Sequence, residues 1–189
     1  IRGIIENSIA VKRKIIETPE LIKSIEEAAA SIINAYRLQK KVLFCGNGGS
    51  AADAQHLAAE LSGRFYYDRP PLSAEALHVN TSYLTAVAND YSYDEIYARY
   101  VQAVGHKGDV LVGLSTSGNS TNVLKAMEYA KKIDMIIIAF TGETGGKMSA
   151  LADILINVPS TDTPRVQESH IMIGHILCEI VESTLFPRS

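Results

Sequence analysis

Five short apolar segments, separated by amphipathic stretches, constrain the fold of this chain more than any other feature of its sequence. The segments are rich in Val, Ile and Leu and show little of the polar alternation expected of a half-exposed strand. Strand–helix alternation of this kind requires parallel strands with helices on both faces of the sheet. We therefore predict a three-layer α/β/α sandwich whose five-stranded parallel sheet takes its strands from 41–45, 74–79, 109–115, 135–141 and 153–158.

Helices are predicted before the first strand and after the last one. Isoleucines recur near helical spacing over the first sixteen residues. Thr18-Pro19 then supplies an N-cap and a proline at the first helical position, as does Thr163-Pro164 before the final apolar stretch. We predict a single domain over 1–189, with two extra N-terminal helices within 1–38, the sheet and its covering helices at 41–160, and a C-terminal helix at 163–185.

Charge and hydropathy exclude two classes of partner. The net charge is −3 and the calculated pI is about 6.0, so the basic surface of a nucleic-acid-binding protein is missing. The longest uninterrupted apolar run, 135–140, is six residues long, whereas a bilayer-spanning helix needs about 20. The first fourteen residues mix charged residues with isoleucines and do not resemble a signal peptide. We expect a cytoplasmic protein that binds neither nucleic acid nor membrane.

Two loops of unusual composition follow predicted strands. G-N-G-G-S occupies 46–50 and S-T-S-G-N-S occupies 115–120. In an open parallel sheet, ligands bind beyond the carboxyl ends of the strands, where both loops would lie. A Gly-Ser turn alone is a common connection between a strand and a helix. Four hydroxyls in six residues, however, are more than a helix N-cap requires. The second loop therefore suits a phosphate group, although neither nucleotide-binding fingerprint is present.

Polar residues on two helices are candidates for acid–base chemistry or metal binding. Asp53, His56 and Glu60 are spaced so that they share one helix face within about 60°. The final helix carries two histidines, His170 and His175, which diverge by about 140° and cannot both face the same site. Spacing alone leaves open which histidine faces the site, and also whether either one does.

The ordered set of motifs closely resembles the phosphoheptose isomerases, a family with the sugar isomerase (SIS) domain and a flavodoxin-like fold. The likeness covers nearly the whole chain. It rests on G-N-G-G-S at 46–50, D-A-Q-H-x-x-x-E at 53–60, S-T-S-G-N-S at 115–120 and R-V-Q-E-S-H-x-x-x-x-H at 165–175. Shorter matches at 69–70, 89–90, 108–111 and 141–142 fall in the same order.

The resemblance implies an aldose–ketose isomerase that converts sedoheptulose 7-phosphate to D-glycero-D-manno-heptose 7-phosphate for bacterial surface polysaccharides. It implies that Glu60 is the base that forms an enediol and that His175 is the acid/base partner. It also implies a zinc ion held by His56, Glu60, Gln167 and His175, although Glu60 cannot be a free base while tightly ligated. The implied substrate-binding residues are Asn47, Gly48, Gly49, Ser50, Arg69, Asn89, Asp90, Ser115, Thr116, Ser117, Ser120 and Gln167, with the hydroxyls of 115–120 on the phosphate and Arg69 reaching a neighbouring subunit's pocket.

The family likeness further implies a homotetramer in which the N-terminal and C-terminal helices pack together. The same isoleucine-rich faces could instead cover one subunit's own sheet. Two other functions of SIS domains remain as alternatives: a non-enzymatic protein that binds the replication initiator, and an isomerase of a different phosphosugar. A phosphosugar-sensing regulator would need an attached DNA-binding domain, for which we expect no room in this chain. The intact glycine loop and His175 favour the enzyme over the initiator-binding protein.

Overall fold

The computed structural model describes residues 1–188 and places seven α-helices around five strands within that range. Two short 3-10 helices, Tyr93–Glu95 and Gly146–Ala150, complete the elements. The strands are β1 Val42–Gly46, β2 Ala74–Ala76, β3 Val110–Leu114, β4 Ile136–Thr141 and β5 Ile154–Asn157. The α-helices are α1 Arg2–Ile16, α2 Pro19–Arg37, α3 Gly49–Ser62, α4 Thr81–Asp90, α5 Ile96–Val104, α6 Thr121–Lys132 and α7 Thr163–Leu185.

The sheet is parallel throughout, with the strand order β2-β1-β3-β4-β5. The chain moves from β1 to one side and then returns to place β3 on the other side of β1. The strand order therefore reverses between β1 and β3, which is the position where a doubly wound sheet opens a ligand crevice. Gly46 at the end of β1 lies opposite Leu114 at the end of β3, so the two following loops leave the sheet side by side.

The sheet is buried on both faces, as its nearly unbroken apolar strands require. Alternate residues of each strand enter different hydrophobic clusters: Val42 and Phe44 face α2, α3 and α7, whereas Leu43 and Cys45 face α5 and α6. Val11 and Ile15 of α1 join the first cluster. No helix within 1–188 is long and apolar enough to cross a bilayer.

The predicted α/β/α sandwich and its five parallel strands are confirmed, but several element ends differ from the prediction. β2 ends at Ala76 rather than at residue 79, because this edge strand pairs only with β1 and the chain then turns. Thr18 does occupy the N-cap of α2, yet its hydroxyl bonds to the Lys14 carbonyl instead of capping the helix. Asp162, not Thr163, occupies the N-cap of α7, because Thr163 already has helical geometry.

Candidate active site

The loops after β1 and β3 lie side by side at the carboxyl edge of the sheet. In the β3 loop, the Ser115 hydroxyl lies 2.9 Å from that of Ser120 and 3.4 Å from that of Ser117, so three hydroxyls converge immediately before α6. Gly118 has φ +65°, and a Cβ there would lie 2.2 Å from the Gly145 carbonyl oxygen. Glycine is therefore required for the loop to pack against the neighbouring turn. Clustered hydroxyls at a helix N-terminus can bind an anion.

An amide pair connects the two loops. Asn47 and Asn122 exchange two hydrogen bonds of 2.9 Å, each amide nitrogen donating to the other amide oxygen. The Tyr93 hydroxyl also donates to the Asn47 oxygen, at 3.1 Å. Asn122 is buried, while Asn47 is half-buried and Tyr93 is exposed. The two loops are thus joined across the point where the strand order reverses.

Helices α3 and α7 pack closely and run in the same direction. Near their N-termini, Gly49 lies against Gln167, and a Cβ on Gly49 would be 2.6 Å from the Gln167 side-chain nitrogen. Two turns further along, Gly174 lies against Leu57, where a Cβ would again be 2.6 Å from a leucine methyl group. Because glycine has no side chain, the two helices can pack closely at Gly49 and Gly174. This close packing brings the polar faces of α3 and α7 together.

His56 and Glu60 of α3 meet His175 of α7 on this shared face. The His56 Nε2 atom lies 3.0 Å from His175 Nε2 and 3.1 Å from Glu60 Oε1. All three ligand atoms lie within 4.8 Å of one another. The His56 side chain is 50% exposed and that of Glu60 is 24% exposed, so solvent and small molecules reach the group.

The donor set of this cluster fits a zinc ion. Zinc binds imidazole nitrogen and carboxylate oxygen at about 2.0 Å, and ligands arranged tetrahedrally at that distance lie about 3.3 Å apart. A proton on His56 Nε2 would also satisfy both of its contacts, so the spacing is compatible with either a cation or a proton. Gln167 lies on the same helix two turns before His175, and its amide oxygen is a chemically suitable fourth ligand.

Asp53 lies one turn before His56 on α3 and shares its face. One of its carboxylate oxygens is buried and has no hydrogen-bond partner among the described residues. Burial raises the pKa of Asp53 to about 6, although the nearby His56 opposes the rise. The site thus contains a carboxyl group that is more readily protonated than an exposed aspartate.

His170 is directed away from this face and into the core. It is fully buried, its Nε2 lies 3.0 Å from the Thr141 carbonyl, and its ring meets the edge of Phe140. Burial lowers the pKa of His170 to about 4, so the imidazole is neutral and donates from Nε2. Of the two histidines that spacing left undecided, His175 is the one that joins the polar cluster.

The predicted roles of Arg69, binding substrate and reaching a neighbouring subunit's pocket, stay predictions, and within this chain its guanidinium makes several other contacts. The Arg69 side chain is 2% exposed, and its Nε donates to Glu182 at 3.1 Å. Its remaining nitrogens donate to carbonyl oxygens at the end of α3, including that of Glu60 at 2.8 Å. These hydrogen bonds to backbone carbonyls tie the guanidinium to the end of the helix that carries Glu60.

The remaining candidates differ in their exposure and in the contacts that they make. Ser50 is buried in the first turn of α3, and Gly48 is exposed in the loop with φ +55°. Thr116 is half-buried beside the serine hydroxyls. Asn89 and Asp90 are exposed at the end of α4, where the Asn89 amide donates to Asp90 at 2.9 Å. Tyr93, three residues later, is the residue of this segment that contacts Asn47.

Sequence reasoning missed Asn122 and Tyr93. Asn122 lies just beyond the S-T-S-G-N-S loop in the first turn of α6, where a polar residue usually indicates only a helix start. Tyr93 lies 46 positions from Asn47 along the chain, and no local pattern links them. Both contacts depend on tertiary structure, so no signal in one sequence could have revealed them.

Comparisons with known proteins show the family of this chain. The sequence profile of the SIS domain matches residues 5–142, which with the doubly wound sheet defines a SIS domain protein. Phosphoheptose isomerase 2 of Campylobacter jejuni is 53% identical over 188 residues, covering 100% of this chain and 94% of its own. The chain therefore belongs to the phosphoheptose isomerase family.

Solved structures support the same assignment. A phosphoheptose isomerase of Neisseria gonorrhoeae superposes with a TM-score of 0.90 at 43% identity, with 96% of both chains covered. One from Francisella tularensis superposes with a TM-score of 0.92 at 37% identity, with the same coverage. The resemblance recognised from the motifs is thereby confirmed.

Proposed function

We propose that this sugar phosphate isomerase interconverts sedoheptulose 7-phosphate and D-glycero-D-manno-heptose 7-phosphate. The observation that carries the proposal is the cluster of His56, Glu60 and His175 where α3 and α7 pack together. An aldose–ketose conversion requires proton removal from the carbon next to the carbonyl, formation of an enediol and proton return to the neighbouring carbon. A carboxylate and an imidazole within reach of one another supply the necessary groups.

In this mechanism, Glu60 removes the proton from carbon and His175 moves protons between the substrate oxygens. The two side chains approach the same space from α3 and α7, whose close packing at Gly49 and Gly174 fixes their separation. Arg69 supports Glu60 by bonding to its backbone carbonyl, so that the carboxylate projects from an ordered helix end.

The phosphate is assigned to the hydroxyls of Ser115, Thr116, Ser117 and Ser120. Convergence of three of these hydroxyls before α6 supports the assignment. Binding the phosphate far from the reacting carbons would let that interaction energy orient the sugar. Contacts to the sugar are assigned to the β1 loop, to Gln167 and to the end of α4, through Asn47, Gly48, Gly49, Ser50, Asn89 and Asp90.

We assign zinc to His56, Glu60, Gln167 and His175, and the mixed nitrogen and oxygen donors support this choice. When bound, the ion would polarise the substrate carbonyl or its enediol oxygens. Glu60 would serve as a base only when its carboxylate is not tightly held by the metal. Activity measured after metal removal and after zinc replacement would separate a required ion from an inhibitory one.

We further propose that the enzyme is a cytoplasmic homotetramer that supplies heptose for surface polysaccharides. Ile4, Ile5 and Ile9 of α1 are 62%, 55% and 45% exposed, and Ile176 of α7 is 37% exposed, which suits a face covered by other copies. Light scattering after size exclusion would measure the assembly. Complementation of a heptose-deficient bacterial strain would test the pathway.

The direct test incubates the purified protein with sedoheptulose 7-phosphate and with five- and six-carbon sugar phosphates. We expect aldose formation from the heptulose, and losses of at least about 100-fold in kcat for Glu60→Gln and His175→Ala. Thermal melting should show that both variants stay folded. No turnover by the wild type would contradict the activity and would favour a binding protein. Faster turnover of a shorter sugar would correct the substrate.

A further inference from the structure

Asn122 determines what Asn47 can offer to a ligand. Asn122 is 2% exposed, and its side-chain oxygen accepts a hydrogen bond of 2.9 Å from the backbone N–H of Val123. This N–H belongs to the first turn of α6, where backbone donors lack helical partners. Because a backbone N–H can only donate, the contact identifies which end of the Asn122 amide is the oxygen.

The orientation of the Asn47 amide follows from that of Asn122. Its nitrogen must donate to the Asn122 oxygen, and its own oxygen must accept from the Asn122 nitrogen. The Tyr93 hydroxyl supplies a second donor to the same oxygen, so both lone pairs of the Asn47 carbonyl are occupied. One N–H of the Asn47 amide has no partner among the described residues. Asn47 can therefore offer a ligand a donor and no acceptor.

We propose that Asn122 is a positioning residue for substrate recognition, which holds Asn47 between the two loops as a donor to an acceptor oxygen of the sugar phosphate. An unrestrained asparagine would present its oxygen or its nitrogen in several rotamers, and binding would have to order it. The hydrogen bonds of the amide pair fix the orientation of the Asn47 amide before the substrate binds. This inference rests on the proposed function, because it assigns the crevice to a sugar phosphate.

The most selective perturbation is Asn122→Asp. The carboxylate still accepts from the Val123 N–H and from the Asn47 nitrogen, and a negative charge is favourable at a helix N-terminus. Only the donor to the Asn47 oxygen is lost, and an oxygen faces that oxygen instead. We expect a lower Tm, because a buried carboxylate then faces the Asn47 oxygen, a rise of about tenfold in KM for sedoheptulose 7-phosphate, and kcat within about twofold of the wild type.

A double-mutant cycle with Asn47→Ala tests whether Asn122 acts through Asn47. In the Asn47→Ala background, the Asn122→Asp substitution should change KM by less than about twofold, because the residue that Asn122 positions is gone. A new charge that simply repels the phosphate would raise KM equally in both backgrounds. Effects that multiply in this way would overturn the proposal, as would an unchanged KM for Asn122→Asp alone.

Two further variants complete the test. Asn80→Asp is the matched control, since Asn80 begins α4, accepts from the Tyr83 N–H at 3.0 Å and donates to no described residue. Its KM should equal that of the wild type. Tyr93→Phe removes one exposed hydroxyl and will fold even if Asn122→Asp does not. Tyr93→Phe should raise KM by a smaller factor than Asn122→Asp, and only when Asn47 is present. A rise in KM that persists in the Asn47→Ala background would also contradict the proposal.

The wild type in the same assay separates this inference from the proposed function. An inactive wild type contradicts the proposed isomerase. An active wild type whose Asn47 and Asn122 variants behave independently contradicts only the positioning role.

Discussion

The buried His170 should make the folded protein sensitive to acid, and the substitution His170→Gln should remove that sensitivity. The unfolded chain has the ordinary histidine pKa of 6.5, whereas the pKa in the folded protein is about 4. Between these pH values, the unfolded chain binds a proton that the folded chain does not. The free energy of unfolding therefore decreases as the pH falls, by about 1.4 kcal/mol per pH unit and by about 3 kcal/mol in all.

Asp53 works in the opposite direction and must be separated from this effect. Its pKa is raised from 3.8 to about 6, so the folded protein retains a proton that the unfolded chain loses between those values. The contribution of Asp53 to the free energy of unfolding therefore becomes more favourable to the folded state as the pH falls. Because Asp53 is present in both proteins, the difference between the wild type and His170→Gln isolates the histidine. The glutamine amide nitrogen can still donate to the Thr141 carbonyl.

Urea unfolding followed by circular dichroism, at intervals from pH 7.5 to pH 4, measures this difference. The stability advantage of the wild type over His170→Gln should shrink by about 3 kcal/mol as the pH falls across that range. A difference that stays constant with pH would refute the neutral, desolvated histidine. It would also reopen the choice between the two histidines of α7.

Three other predictions concern the site directly. Replacing Ser115, Ser117 and Ser120 together by Ala should raise KM for the phosphorylated sugar at least about tenfold, with a smaller change in kcat. Steady-state kinetics measures both constants, and an unchanged KM would show that the phosphate binds elsewhere. Gly49→Ala places a Cβ 2.6 Å from the Gln167 amide and should lower kcat/KM about tenfold by displacing it, whereas the control Gly3→Ala meets no atom within 4 Å and should leave turnover unchanged. The wild type should retain about one zinc per subunit after equilibrium dialysis, and His56→Ala should retain much less, as measured by elemental analysis; equal zinc contents would remove His56 from the ligand set.

The fold and the location of the site could be predicted because both follow from periodicity. Apolar runs without alternation indicate a sheet buried on both faces, and the ends of parallel strands lie at the same edge. The pattern therefore predicts that the loops at 46–50 and 115–120 lie together. The short β2 was harder to predict, because residues 77–79 are apolar enough to continue a strand and only the edge position stops it.

The details of the site depended on contacts that one sequence does not encode locally. His170 and His175 occupy one helix with similar neighbours, and the packing against Phe140 and Thr141 is what removes His170 from the site. Arg69 matched a family motif, but its hydrogen bond to the buried Glu182 of α7 could not be predicted from that motif. Asn122 has the sequence context of an ordinary helix start, and only its contact with Asn47 places it between the loops.

The central claim is that Glu60 and His175 transfer protons through an enediol. Isomerisation of sedoheptulose 7-phosphate in deuterated water, followed by proton NMR, tests it most directly. The wild type should place solvent deuterium on the carbon that becomes the new stereocentre of the aldose, and Glu60→Gln should form almost no aldose and exchange almost no carbon-bound proton. Aldose formed without any solvent deuterium, or proton exchange at the wild-type rate in Glu60→Gln, would contradict the account.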